Sequence, residues 1–428
     1  MTEYDVLVVG AGILGLSAAY HIKLADPALK VLVVVKNVAA GLGSTVNSAA
    51  AFRCFFSSSA NFALADSSVE FYKHLQEDLG VNLRMRWCGY LWAFTQDAYQ
   101  QVLPVLEELK AKGFAYKEYL PEELFRILGM RVNFAGDSEA QRLGLADVYR
   151  AVFVPKAGLI GVMSLVRFYE LEFLNLGGEI QYRTEVSRLL VEPRVPLGLP
   201  GEPYFWQDAA VVGAETASGT IKAKMTVVAA GAWLAQLLDP VGIECFVKAQ
   251  KRQVFSVKAD TESLRKLLHM TEFSAAGCLP FTVLPKPSVY LRPNHEGEWF
   301  GVGYADEFPR AFRLEEHPKP ETDFYQHGLQ PIVAKYLPQF EGAESSGGFA
   351  GLYEINTLDE QPVIFGEHGV VVVGGGSGSG IMKADAIGRI AAAVYAGQEY
   401  ATFFGGRQFK VSDLGVKERR VEPEKLVI

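Results

Sequence analysis

Apolar positions along this chain follow two rhythms, one unbroken and one alternating. Near the start, Val6, Leu7, Val8 and Val9 form a continuous run, the pattern of a strand buried on both faces. Three spaced glycines follow, then a helical spacing, then a second run from Val31 to Val35. Helical spacing returns over residues 61–79, 98–112, 121–128 and 163–176, with Gly80 and Gly177-Gly178 as stop signals and Pro121 as a first-turn residue. Strands are predicted over 87–94, 179–183 and 186–191, and a buried one in the run Thr226-Val-Val-Ala-Ala-Gly231-Ala-Trp233. From 248 to about 348 the apolar residues alternate, as in 253–257, 288–292 and 299–304, which predicts an antiparallel sheet. The end reverts to the first rhythm, with a buried run over 370–373, a glycine turn over 374–380 and a helix over 382–396.

The two rhythms divide the chain into two interleaved units. Residues 1–86, 151–247 and 349–428 are assigned to a parallel-sheet domain, and residues 87–150 and 248–348 to a second domain with a mainly antiparallel sheet. The expected class is α/β, α+β overall. A length of 428 residues suits two domains better than one core.

Composition narrows the function. A hydrophobic fraction of 49% with 21% charged residues is that of an ordinary folded enzyme, and a net charge of −8 offers no basic footprint for nucleic acid. Cys54, Cys88, Cys245 and Cys278 form no CxxC pair, and the seven histidines form no HxH or HxxxH pair, so no metal is expected. No apolar run reaches the ~18 residues of a membrane span. The expected location is the cytoplasm, with peripheral membrane contact left open.

The glycines carry the first chemistry. Between a strand and a helix, Gly10 makes the tight turn, Gly12 lets backbone approach a pyrophosphate, and Gly15 lets the helix pack on the strand. The helix N-terminus then offers N–H groups and a partial positive charge to a dinucleotide's diphosphate. The acid that usually holds the ribose at the end of the second strand is missing, since that place falls on Val35, followed by Lys36. Backbone or a residue of the following loop must replace it.

Five stretches together resemble the flavoprotein family of D-amino acid oxidase and monomeric sarcosine oxidase. They are the first turn, the Gly43-Ser44-Thr45 loop leading to Arg53, the strand ending at Trp233, the Gly351-Leu-Tyr-Glu-Ile-Asn-Thr-Leu-Asp359 segment, and Gly378-Ser-Gly-Ile-Met-Lys383. Within the family, the last of these looks most like the archaeal dye-linked L-proline dehydrogenases. The resemblance implies a Rossmann-like FAD-binding domain and oxidation of an amine-bearing carbon. It places Gly10, Gly12, Gly15, Lys36, Ser44, Thr45, Ala230, Gly231, Gly351, Gly378, Gly380, Ile381, Met382 and Lys383 at the cofactor. Sarcosine oxidase holds its flavin covalently through a cysteine where this sequence has Gly351, so FAD is expected to be non-covalent. It also places a lysine beside the flavin where this sequence has Gly301, and without that cation superoxide loses a stabiliser. A dehydrogenase that passes electrons to a quinone or other carrier gains on an oxidase.

The resemblance also implies the substrate groups. Lys383 and Arg53 match residues that grip a substrate carboxylate, and Tyr290 matches a tyrosine on the substrate face of the flavin; Arg292, two residues on, would share its face by strand periodicity as a further carboxylate ligand. Each has a plain alternative. Lys383 could be a solvated charge, Arg53 a structural partner of Asp66 or Glu70, Tyr290 a core aromatic and Arg292 a surface residue. The expected reaction is oxidation of a small amino acid, L-proline first, in a homodimer. Its rivals are a sarcosine or glycine oxidase, a 2-hydroxy-acid dehydrogenase and a non-catalytic electron-transfer subunit. The apolar end Leu426-Val427-Ile428 suggests that Ile428 covers the substrate pocket.

Overall fold

Six strands form the spine of the first unit in the computed structural model, which describes residues 3–306 and 308–426. Their order is Val363–Glu367, Val370–Gly374, Gly219–Val228, Tyr4–Val9, Val31–Val34, Glu179–Gln181. All neighbours are parallel except the first pair. A sheet covered on both faces must be apolar on both. Val6 and Val8 face helices Ile13–Ala25, Val162–Asn175 and Ala384–Tyr395, while Leu7 and Val9 join Leu234, Leu237 and Leu238 on the other side. Strands Ala209–Thr216 and Val186–Pro193 branch off antiparallel from the first half of the interior strand Gly219–Val228.

The second unit is an eight-stranded sheet in the order Ser345–Asn356, Val247–Lys258, Trp299–Gly303, Tyr290–Asn294, Phe281–Val283, Tyr90–Phe94, Arg150–Val154, Lys117–Tyr119. It is antiparallel apart from the pairing of Phe281–Val283 with Tyr90–Phe94. One face, with Leu91, Phe255, Leu291 and Phe300, packs in its own core. The opposite face turns Tyr90, Trp92, Phe281 and Tyr290 into the core of the first unit. The expected divisions at residues 151 and 349 each cut through a strand of this sheet.

The ribbon of Val247–Lys258 against Ser345–Asn356 is longer than the alternation over 253–257 suggested, pairing Val247 with Asn356 at one end and Phe255 with Gly348 towards the other. Its apolar pattern is broken by Gln250, Lys251, Arg252 and Gln253, all buried. Such groups are tolerated inside when paired, and Glu321 accepts from Lys251, Gln253 and Arg310 together. The last helix also starts differently, with a tight turn Ile381–Lys383 before Ala384–Tyr395. Among the described residues no helix is long and apolar enough to cross a membrane. Ile428 lies outside the described residues.

Candidate active site

A long cavity runs along the carboxyl ends of the first unit's parallel strands, where open α/β sheets bind ligands. Gly10 and Gly12 form one wall. Gly10 has φ +111°, and a Cβ there would lie 2.4 Å from Ala229 O, so only glycine fits. Gly12 is the N-cap of Ile13–Ala25 and supplies no side chain, which leaves the helix end open to the cavity. Thr45 Oγ1 accepts from Ile13 N at 3.2 Å and pins the Ser44–Thr45 loop beside the turn. Ala230 and Gly231 line the same stretch.

At one end the wall is Val35, Lys36, Thr184 and Glu185. Lys36 is ion-paired with Glu316, and its ammonium lies 3.9 Å from the Trp233 ring centroid. Thr184 N donates to Val35 O at 2.8 Å, which brings Glu185 beside the place of the absent ribose acid. At the other end the wall is Tyr290, Arg252, Gly351, Gly378, Gly380 and Ile381. An open helix N-terminus, a glycine-lined middle and an aromatic, glycine-flanked end fit a dinucleotide with a flat ring.

Gly15, Met382 and Lys383, expected among the cofactor contacts, do not line the cavity. Gly15 serves packing, since a Cβ there would meet Gly10 O at 2.0 Å, and Met382 is in the core. A Cβ on Gly351 would lie 2.9 Å from Asn47 Cβ, so a cysteine there needs the loop to move.

Arg53 and Lys383 lie just beyond the aromatic end, both buried. Arg53 donates to Leu426 O at 2.7 Å and to the carbonyl of Phe55, with its guanidinium 4.0 Å from the Phe56 ring and 4.8 Å from the Trp92 ring. Lys383 Nζ donates to Asn61 Oδ1 and Ser379 Oγ, both at 2.6 Å, and is 4.8 Å from the same Phe56 ring. All these hydrogen bonds go to neutral oxygens. Burial lowers the Lys383 ammonium to about 7, assisted by Arg53 and opposed by Glu424, and lowers the Arg53 guanidinium from its ordinary value. The solvated alternative for Lys383 is therefore excluded, and Lys156, not Arg53, pairs with Asp66 and Glu70 at 2.8 and 2.7 Å.

An aromatic wall stands beside the two cations. Tyr90 stacks on Phe281 at 4.3 Å, Phe281 on Tyr290 at 5.1 Å, and Phe55 lies 5.3 Å from Trp92. Burial pushes the Tyr290 phenol up, so it stays protonated. Arg292 is not at the surface. It donates to Ala49 O at 2.7 Å, lies over Trp299 and pairs across the sheet with Gly301.

The pattern that defines the DAO family, described as FAD dependent oxidoreductase, matches residues 5–394. The chain belongs to this family. It is 24% identical over 409 residues to FAD-dependent oxidoreductase domain-containing protein 1 of Xenopus laevis, covering 91% of this chain and 78% of that one. It is 27% identical over 360 residues to the glycine oxidase of Pseudomonas aeruginosa, covering 81% and 82%. The fold is that of the L-proline dehydrogenase from P. horikoshii, with a TM-score of 0.74 at 20% identity, covering 96% of each chain.

As a member of the DAO family, the protein is an FAD-dependent oxidoreductase. Sequence reasoning had missed three acids around its site. Glu185 was hidden because it approaches from the connection between strands Glu179–Gln181 and Val186–Pro193. Glu354 stood inside a quoted motif, an acid flanked directly by Leu352, Tyr353 and Ile355, and that was its signal. Glu424 lies in the charged run over 417–425, whose composition alone reads as a solvated stretch. It instead accepts from Ser57 N at 2.8 Å, Ser57 Oγ at 2.7 Å and Asn61 Nδ2 at 3.1 Å. Burial would raise its pKa, but the Arg53 charge and these donors hold it below the ordinary value.

Proposed function

We propose that the protein is a dehydrogenase of small α-amino acids, with L-proline as the first substrate, which is oxidised at its amine-bearing carbon to a cyclic imine. The observation that carries this reading is the pair of buried cations, Arg53 and Lys383, bonded only to neutral oxygens beside an aromatic wall. The single charge of Glu424 offsets only part of these two buried charges, so the pair calls for a second anion, and an amino acid's carboxylate is of the right size and sign. Arg53 can hold such a group through its fork of donors, while Lys383 adds a point charge. Tyr90, Trp92, Phe281 and Tyr290 would exclude water from the remaining ring, and a saturated apolar ring suits them better than a charged side chain. When bound, the flavin accepts the hydride; the chain's own task is to bind, orient and keep water out. The names of the fold's neighbour, an L-proline dehydrogenase, and of a relative, a glycine oxidase, support an amino acid in this place.

The electron acceptor in this reading is a quinone or another carrier. A second reading, an oxidase, is favoured by Arg292, whose guanidinium stands across the sheet from Gly301 and supplies a fixed charge near the place where a lysine was missed. A dye-reduction screen over proline, sarcosine, glycine, lactate and 2-hydroxyglutarate tests the substrate, with hydrogen peroxide measured alongside. Proline turnover without peroxide is the expected result. Turnover confined to hydroxy acids would sink the proposal, and peroxide formed in step with proline loss would select the oxidase.

A further inference from the structure

One carboxyl on the cavity wall has an oxygen with no hydrogen-bond partner among the described residues. Glu354 projects from strand Ser345–Asn356 into the region where the turn at 374–376 meets the end of strand Gly219–Val228. Its Oε1 accepts from Gly376 N at 3.2 Å. Its Oε2 is shut off from bulk water and bonded to nothing among the described residues. Cβ atoms built on Gly374 and Gly231 would come within 3.2 and 3.8 Å of that oxygen, so glycines make the room it occupies. Glu354, Gly231, Gly376, Gly10 and Gly12 all line the one cavity.

We propose that Glu354 holds the ribityl–diphosphate stretch of FAD as a neutral carboxylic acid, donating a hydrogen bond from Oε2, so that binding the cofactor takes up one proton from solvent. The step balances as a carboxylate plus a proton giving the acid, with no electron moved. It rests on the FAD that the family requires and not on the choice of substrate. A carboxylate beside a diphosphate would repel it, whereas the acid offers a donor to a phosphate or hydroxyl oxygen. Burial pushes this carboxyl up to about 7, opposed by the N–H groups of Gly376 and Gly375, so the acid form is within reach at neutral pH. The diphosphate's charge raises it further. The pKa of the complex then exceeds that of the cofactor-free protein, so affinity is full below about 7 and is lost as pH rises through the higher value.

The other charged or titratable side chains on the cavity wall are Lys36, Glu185, Arg252, Tyr290 and Tyr353, and Lys383 lies just beyond it. Substitution separates Glu354 from all of them. The holoenzyme is diluted at a series of pH values and the fluorescence of released FAD gives Kd. The wild type is expected to lose affinity by about tenfold per pH unit above about 7, the slope of one linked proton, while Glu354→Gln shows no slope. A flat wild-type profile overturns the proposal, and so does a Glu354→Gln protein that keeps the slope. If Glu354→Gln does not fold, Lys383→Met takes its place. Its slope must then match the wild type, and loss of that slope would assign the proton to Lys383 and overturn the role of Glu354.

Discussion

Around Gly10, Gly12 and Gly231 the cavity wall is main chain, whereas the surroundings of Arg53 and Lys383 are side chains drawn from segments far apart in sequence. The glycine end recognises its ligand by letting backbone come close and by aiming a helix N-terminus. Its tolerances are steric, and added atoms should be ruinous. The far end recognises by buried charge. There, atoms can be exchanged at similar volume, and the loss appears in binding before it appears in folding.

The largest effect is therefore expected where an added atom meets backbone. With a Cβ only 2.0 Å from Gly10 O, Gly15→Val cannot keep the helix against the strand. We expect a cost at or above the upper end of the ~1–3 kcal/mol range for overpacking, with loss of bound flavin. The ratio of flavin to protein absorbance and a thermal melt measure both. A stable yellow Gly15→Val protein would break the contrast between the two ends.

Next comes the charge. Lys383→Met is expected to leave FAD content nearly unchanged and to raise the Michaelis constant for proline by about ten- to a hundredfold, the worth of a charge-assisted hydrogen bond of ~1.5–3 kcal/mol. A carboxylate ligand without a titratable amine, 2-tetrahydrofuroate, isolates the pH dependence. Burial lowers the Lys383 ammonium to about 7, and a bound carboxylate would raise that value. Affinity is thus full below about 7 and declines above it, and Lys383→Met should abolish the decline. An unchanged Michaelis constant, or an unchanged profile, would leave Lys383 with a structural part only.

The contrast also explains what the sequence could show. Glycines at positions 10, 12 and 15 act within one turn, so their spacing is readable without the fold, and the flanking apolar runs locate their strands to within two residues. The far end has no such local signature. Asn61 meets Lys383 across 322 residues and Glu424 across 363. Lys383 and Arg53 were found only because the resemblance pointed to them. The ribbon that carries Arg252 and Glu354 was read too short, since its buried polar residues imitate a surface pattern and their partners lie on another segment.

A smaller effect is expected at Glu424, which holds the chain end to the start of helix Ser59–Glu77. Glu424→Gln keeps the shape and some hydrogen bonding but removes the charge at a helix N-terminus and beside Arg53. A loss of about 1 kcal/mol is expected, as for other N-terminal capping and dipole interactions. Chemical denaturation measures it. No loss would show that the tail is held by the Leu426 carbonyl on Arg53 and by the Arg419–Asp359 ion pair without help from this carboxylate.

The smallest effect sharpens the question of the acceptor. Gly301 stands where sarcosine oxidase has a cation, and on the sequence alone Gly301→Lys would raise oxygen reactivity. The fold changes that expectation. Arg292 is the cross-strand partner of Gly301, its half-buried side chain lies over Trp299, and its Nε is fixed on Ala49 O. A positive charge is thus already held in this neighbourhood. A second one would meet repulsion from the first, and a Cβ at 301 lies 3.0 Å from Val254 Cγ1, so the strand must also give slightly. We expect Gly301→Lys to change the rate of reoxidation of the reduced flavin by oxygen by no more than about threefold, the scale of a partly screened ion pair. Stopped-flow mixing of the reduced enzyme with oxygen measures that rate directly. A rise of a hundredfold would mean that the Arg292 charge does not reach the flavin, and that the missing lysine alone keeps oxygen from serving as acceptor.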